Sequence, residues 1–124
     1  MPIPERLVEL EQKIDSLLNN HSPDLLAVET LIFNRNITTA MQVSEARGVI
    51  VLCGARRQIT IQACTPLQVK MAVTGYGRAD KSQVKQMIKM QLALPDLHQV
   101  DDAIDAIAVA ITGFHLHKKS PAHD

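Results

Sequence analysis

The chain has 124 residues, 46% of them hydrophobic and 2% aromatic, with 13 basic and 13 acidic side chains and no formal net charge. That length bounds it to one domain able to bury roughly two thirds of its unfolded surface, and the apolar share excludes a disordered or low-complexity chain. A membrane protein is excluded too: no run nears the ~20 apolar residues that span a bilayer, and no apolar stretch behind a basic end reads as a signal peptide.

Leu7, Leu10, Ile14, Leu17 and Leu18 recur at helical spacing with Glu and Lys between them, which predicts an amphipathic helix over residues 4–19. Ser22-Pro23-Asp24 breaks it. Residues 25–29 read as a short strand buried on both faces, as parallel sheets require. Asn34-Arg35-Asn36 is a polar turn, and Thr38 or Thr39 is the expected cap of a helix ending near Arg56-Arg57. Ile59-Thr60-Ile61-Gln62-Ala63 alternates at period two and is rich in β-branched residues, so a second strand is expected there.

Pro66 opens a short helical segment to about residue 73, and residues 74–79 form a loop. Asp80 caps the next helix, with Gln83 three residues on completing a capping box. Leu94-Pro95 ends it. The last helix is expected over residues 100–114, within a single domain of residues 1–117 followed by a disordered tail at 118–124. Cys53 and Cys64 lack metal-ligand spacing and sit in apolar surroundings, so they read as buried, reduced thiols of a cytoplasmic protein.

Strand, helix, strand and further helices make an α/β protein. Two parallel strands rarely form an independent sheet, and each leaves backbone groups exposed along an edge. The expectation is therefore that the chain pairs with another chain or lacks a piece of its fold.

Charge is unevenly placed. Residues 35–89 hold nine basic and two acidic side chains, a footprint suited to a polyanion. The ordinary alternative is helix faces balanced by acidic neighbours in the fold.

Glu29 closes the run Leu25-Leu26-Ala27-Val28 and precedes Thr30-Leu31-Ile32-Phe33, a setting where an ionised group is costly without a partner. Downstream, Asp102 and Asp105 lie three apart on one helical face, and Asp105 is flanked by Ile104, Ala106, Ile107 and Ala108 with no local cation. Asp101 projects about 100° away from Asp102 and suits an N-cap better. Carboxylates from separate apolar segments fit a shared hard cation, and two such cations about 4 Å apart can clamp a phosphodiester. Capping and helix-dipole stabilisation are the competing explanation for acidic residues in a first turn. A phosphate-binding role for Thr74-Gly75-Tyr76-Gly77 is disfavoured, because the loop follows a helix and lacks a Gly-Lys-Ser/Thr ending. His115 and His117 read as surface residues.

With these residues in view, the sequence resembles the RuvC family of Holliday junction resolvases over nearly its whole length. The blocks that carry the likeness are Ala27-Val28-Glu29 with Leu31-Ile32-Phe33 and Asn34-Arg35-Asn36, then Ser44-Glu45-Ala46-Arg47-Gly48. Val69-Lys70 through Thr74-Gly75-Tyr76-Gly77-Arg78-Ala79-Asp80-Lys81 and Asp102-Ala103-Ile104-Asp105-Ala106 follow in matching order and spacing.

The resemblance implies a ribonuclease-H-like fold, a homodimer working with a branch-migration helicase complex, and cleavage of four-way junction DNA with Mg²⁺ or Mn²⁺. It implies that Glu29, Asp102 and Asp105 are catalytic metal ligands and that Lys70 and Lys81 hold DNA; Arg78 and Arg35, from the basic stretch 35–89, are expected to position the DNA backbone with them. Ile32 stands where the family often has a Phe, with Phe33 following, so a stacking contact on junction bases is expected to be shifted by one residue.

The family's opening strands and their Gly-Ile-Asp-Pro-Gly-like motif, whose Asp is a further ligand, have no match in these residues. Asp24 is a poor substitute, roughly 17 Å from Glu29 along a strand. The expectation is an N-terminally truncated fold of two parallel strands and about five helices, with little or no nuclease activity by itself. A non-catalytic junction-binding protein of the same fold is the alternative.

Overall fold

The computed structural model describes residues 2–30, 37–93 and 101–119, without the side chains of Ile37, Asp101 and Lys119. The elements run α1 (Ile3–His21), β1 (Leu25–Glu29), α2 (Ile37–Arg56), β2 (Thr60–Cys64), α3 (Pro66–Thr74), α4 (Lys81–Leu92) and α5 (Asp101–Lys119). The order and the α/β class are those expected, and β1 and β2 lie side by side as a parallel pair among the described residues. Beyond the strands, the Thr30 N–H donates to the Cys64 carbonyl at 2.7 Å.

The differences from the sequence reading are local and have local causes. α1 ends at Ser22, which takes a left-handed φ of 44° and donates its N–H to the Leu18 carbonyl, and Pro23 then forbids continuation. β2 starts at Thr60 because the turn before it takes one more residue: Gln58 adopts φ 59° and the Ile59 N–H still closes on the Gly54 carbonyl at 3.0 Å. α3 carries a capping box missed in the sequence, Thr65 with Gln68, built from hydrogen bonds of 3.1 and 2.9 Å. The Asp80–Gln83 box forms as expected, both bonds at 2.8 Å. α5 runs on past Phe114 to Lys119, because Leu116 packs against the core and holds the extra turn. Lys118 and Lys119, expected in the tail, are therefore its last residues; the Leu94-Pro95 stop lies outside the described residues.

The chain divides into two compact units, residues 1–26 with 32–61, and residues 27–31 with 62–124. In the first, α1 packs on α2 with Leu18 and Cys53 buried. Arg57 donates to Asp15 at 2.6 Å and to Asn19 at 2.9 Å, and this hydrogen bond holds the Asp15 carboxyl below its ordinary value.

In the second unit, α3, α4 and α5 enclose a core of Cys64, Val69, Val73, Ile88, Ile104 and Ala108. Burying each Val or Ile contributes roughly 1.5–3 kcal/mol. Gly113 lets α5 lie against β1, since a Cβ there would stand 2.5 Å from the Ala27 Cβ. Thr112 is fully buried, and its hydroxyl donates to the Ala108 carbonyl at 2.8 Å. Cys53 and Cys64 are free and buried, as the apolar context predicts. No helix among the described residues is long and apolar enough to cross a membrane.

Candidate active site

Glu29 is the last residue of β1, and the register that buries Val28 leaves its carboxylate half-buried at the strand end. On α5, Ile104 and Ala108 turn into the core, which sets Asp105 on the flank beside them, also half-buried. Lys81, the first residue of α4, reaches the Asp105 carboxylate at 3.5 Å. All belong to the second unit and share one groove of ≈350 Å³, whose charged walls are Glu29, Lys70, Lys81 and Asp105. Pro66, Val69, Val84, Ala108 and Val109 give it an apolar floor.

The electrostatics are those of two acids held close together. Burial pushes the Glu29 carboxyl up from its ordinary value, Asp105 pushes it further, and Lys81 opposes both. Burial also raises the Cys64 thiol, with a smaller push from Glu29, so that sulfur stays protonated and unreactive.

The expected site residues are not all gathered here. Asp102 lies one turn before Asp105 on α5, exposed, and is not part of the groove lining. Arg78 is exposed in the loop before α4. Ile32, Phe33 and Arg35 lie outside the described residues. His115 is exposed and His117 half-buried on α5. Thr74 seals the end of α3 by donating to the Lys70 carbonyl at 2.7 Å, so the glycine-rich loop is a helix terminus and no phosphate cradle. Sequence reasoning passed over Lys85 and Lys89, which follow Lys81 at intervals of four residues on α4.

Among the described residues, no three His, Cys, Asp or Glu side chains converge tightly enough to enclose a metal ion. A magnesium-like cation needs less, since it keeps waters and binds through one or two carboxylates plus substrate phosphates. Glu29 and Asp105, mutually repelling in an open groove, fit that requirement.

Comparison with known proteins points to one family. The family model for the crossover junction endodeoxyribonuclease RuvC matches residues 1–113. The RuvC of Alkaliphilus metalliredigens is 51% identical over 115 residues, covering 93% of this chain and 70% of that protein. That of Desulfitobacterium hafniense is 47% identical over 114 residues, covering 92% and 69%. Thermus thermophilus RuvC superposes with a TM-score of 0.80 at 28% identity over 95% of this chain and 71% of its own. The structure of that protein in complex with a Holliday junction substrate gives the same score and identity, over 95% and 73%.

Proposed function

Because the chain belongs to the RuvC family of crossover junction endodeoxyribonucleases, we propose that it is a structure-specific nuclease that resolves four-way DNA junctions in recombination and repair. The observation that carries this reading is the groove shared by Glu29, Asp105, Lys70 and Lys81. Acidic groups for a cation and basic groups for a phosphate backbone are what phosphodiester cleavage needs together.

Glu29 and Asp105, with Asp102 one turn earlier on α5, would hold Mg²⁺ or Mn²⁺. Such a cation, when bound, activates water and stabilises charge on the scissile phosphate. Lys81 neutralises part of the carboxylate charge and, with Lys70, draws the DNA backbone to the groove. The protein acts in the cytoplasm as a two-fold dimer that matches the junction's symmetry, alongside a branch-migration helicase complex, with Arg78, Arg35, Ile32 and Phe33 adding DNA contacts.

The family's further aspartate, in its Gly-Ile-Asp-Pro-Gly-like motif, is not among these 124 residues. By themselves they bind the junction and cleave it little or not at all. Purified chain is incubated with a labelled four-way junction and Mg²⁺: the expected result is a mobility shift over linear duplex, weakened by Lys70→Ala. Efficient cleavage, lost by at least about a hundredfold in Glu29→Gln, overturns the binding-only statement and keeps the nuclease. Equal affinity for junction and linear duplex overturns the junction reading.

A further inference from the structure

Leu67 and Met71 stand four residues apart on α3 and are 59% and 50% exposed, although both are large and apolar. The chain after α3 returns across them: a Cβ at Gly77 would stand 3.0 Å from the Leu67 Cδ1 and 3.4 Å from the Met71 Sδ. Glycine at 77 thus lets the loop lie on this face, and the residue before it, Tyr76, is 54% exposed.

The main chain fixes Tyr76 in that place. Gly75 takes the left-handed φ of 75° that ends α3. The Tyr76 N–H donates to the Thr74 hydroxyl oxygen at 3.0 Å, and the Tyr76 carbonyl accepts from the Ala79 N–H at 3.1 Å. Ala79 is itself buried, which pins the far end of the loop. A ring presented from a loop held at both ends costs little ordering on binding. Solitary exposed apolar residues need no explanation, but an aromatic adjoining two more on a fixed turn marks a binding surface.

The surroundings select the partner. Residues 46–79 contain no acidic side chain, and Tyr76 falls between Lys70, on the wall of the candidate active-site groove, and the exposed Arg78. Neither Lys70 nor Arg78 forms an ion pair among the described residues. Cations flanking an exposed aromatic suit a nucleic acid strand, whose phosphates meet the charges while a base meets the ring.

We infer that Tyr76 is a stacking platform for a nucleobase at the branch point of the junction, with Lys70 and Arg78 on the adjoining phosphates. Bases inside a linear duplex have both faces covered, whereas strands that part at a branch point leave base faces open. This rests on the junction reading and adds a base contact that phosphate binding alone does not supply.

The chain has no Trp and Tyr76 is its single Tyr, so tyrosine fluorescence of the full 124-residue chain reports this one residue. A four-way junction is expected to quench it saturably, and linear duplex at equal base concentration to leave it little changed. Tyr76→Ala weakens junction affinity about tenfold, the scale of one stacked base, and Tyr76→Phe restores it. Affinity for linear duplex, the salt slope and the melting temperature stay as in wild type, whereas Lys70→Ala lowers the slope by roughly 1. Unchanged junction affinity in Tyr76→Ala, or an equal loss in Tyr76→Phe, overturns the stacking and leaves the junction reading standing. So does quenching that follows protein concentration without DNA, which assigns the patch to a second copy of the chain. Failure of the wild-type chain to bind a junction removes both.

Discussion

The Lys81 ammonium stands 3.5 Å from the Asp105 carboxylate, on the wall of a groove that Glu29 also lines. The Glu29 carboxyl is raised chiefly by burial and further by Asp105, while Lys81 pulls it back. Two acids held in one groove gain from added positive charge, and the electrostatic consequences can be measured without any assay of cleavage.

The first concerns pH. Because the folded-state value of Glu29 lies above its ordinary 4.5, the native protein keeps that proton over a window in which the unfolded chain has released it. Stability therefore falls as pH rises through the window, and the penalty stays in force above it. Glu29→Gln removes the penalty. Its melting temperature is expected to exceed wild type at pH 7 and to converge with it as pH drops below the ordinary carboxylate range. Thermal scans from pH 4 to 8 by circular dichroism check this, and a variant less stable than wild type at pH 7 would refute it.

The second concerns Lys81. Its ion pair is exposed, and a cation entering the groove must share Asp105 with it. Lys81→Gln is expected to bind Mg²⁺ or Mn²⁺ about twofold to fivefold more tightly by titration calorimetry, the scale of an exposed ion pair. The same variant binds junction DNA more weakly. Loss of both affinities together would mean that Lys81 builds the groove and does not merely compete within it.

How much of this was legible in the sequence depends on the range of the interaction. The strand ending at Glu29 and the Asp80–Gln83 box were readable because a short apolar run behind a proline break and a capping pattern are local signals. So was the helical face carrying Asp105. The Lys81–Asp105 pair was not, since its members are 24 positions apart and nothing in the chain between them signals that α4 and α5 meet. Asp102 and Asp105 looked equivalent on a helical wheel, yet the groove takes up Asp105 and leaves Asp102 exposed, a distinction set by the packing of α5. The run of α5 past Phe114 depended likewise on Leu116 finding a tertiary partner.

Packing separates two glycines that look alike in sequence, each well inside a helix. A Cβ at Gly113 would stand 2.5 Å from that of Ala27, a methyl fixed to the β1 backbone, whereas at Gly48 nothing lies within 4 Å. Gly→Ala in a helix interior otherwise gains up to ~1 kcal/mol. Gly48→Ala is expected to stabilise by about that amount. Gly113→Ala sets the same gain against an overpacking cost of ~1–3 kcal/mol and comes out destabilised. Urea melts of the two variants check the opposite signs, and equal shifts in the same direction would show that α5 does not rest on β1 as described.

Acid sensitivity is expected to reside in the other unit, at Asp15. Arg57 holds this carboxyl below its ordinary 3.8, chiefly through the 2.6 Å hydrogen bond, while partial desolvation works against it. A depressed acid contributes stability that is fully present above its unfolded value and is lost as pH falls through the folded one. Asp15→Asn and Arg57→Gln should each lower the melting temperature at pH 7. Because they remove the same pair, the double variant should fall by less than the sum of the singles. As pH drops below 3.8, the deficit of Asp15→Asn relative to wild type shrinks, because the wild-type carboxylate is itself being neutralised. A deficit that persists undiminished at pH 3 would place the role of Asp15 in packing, with the charge of Arg57 incidental to it.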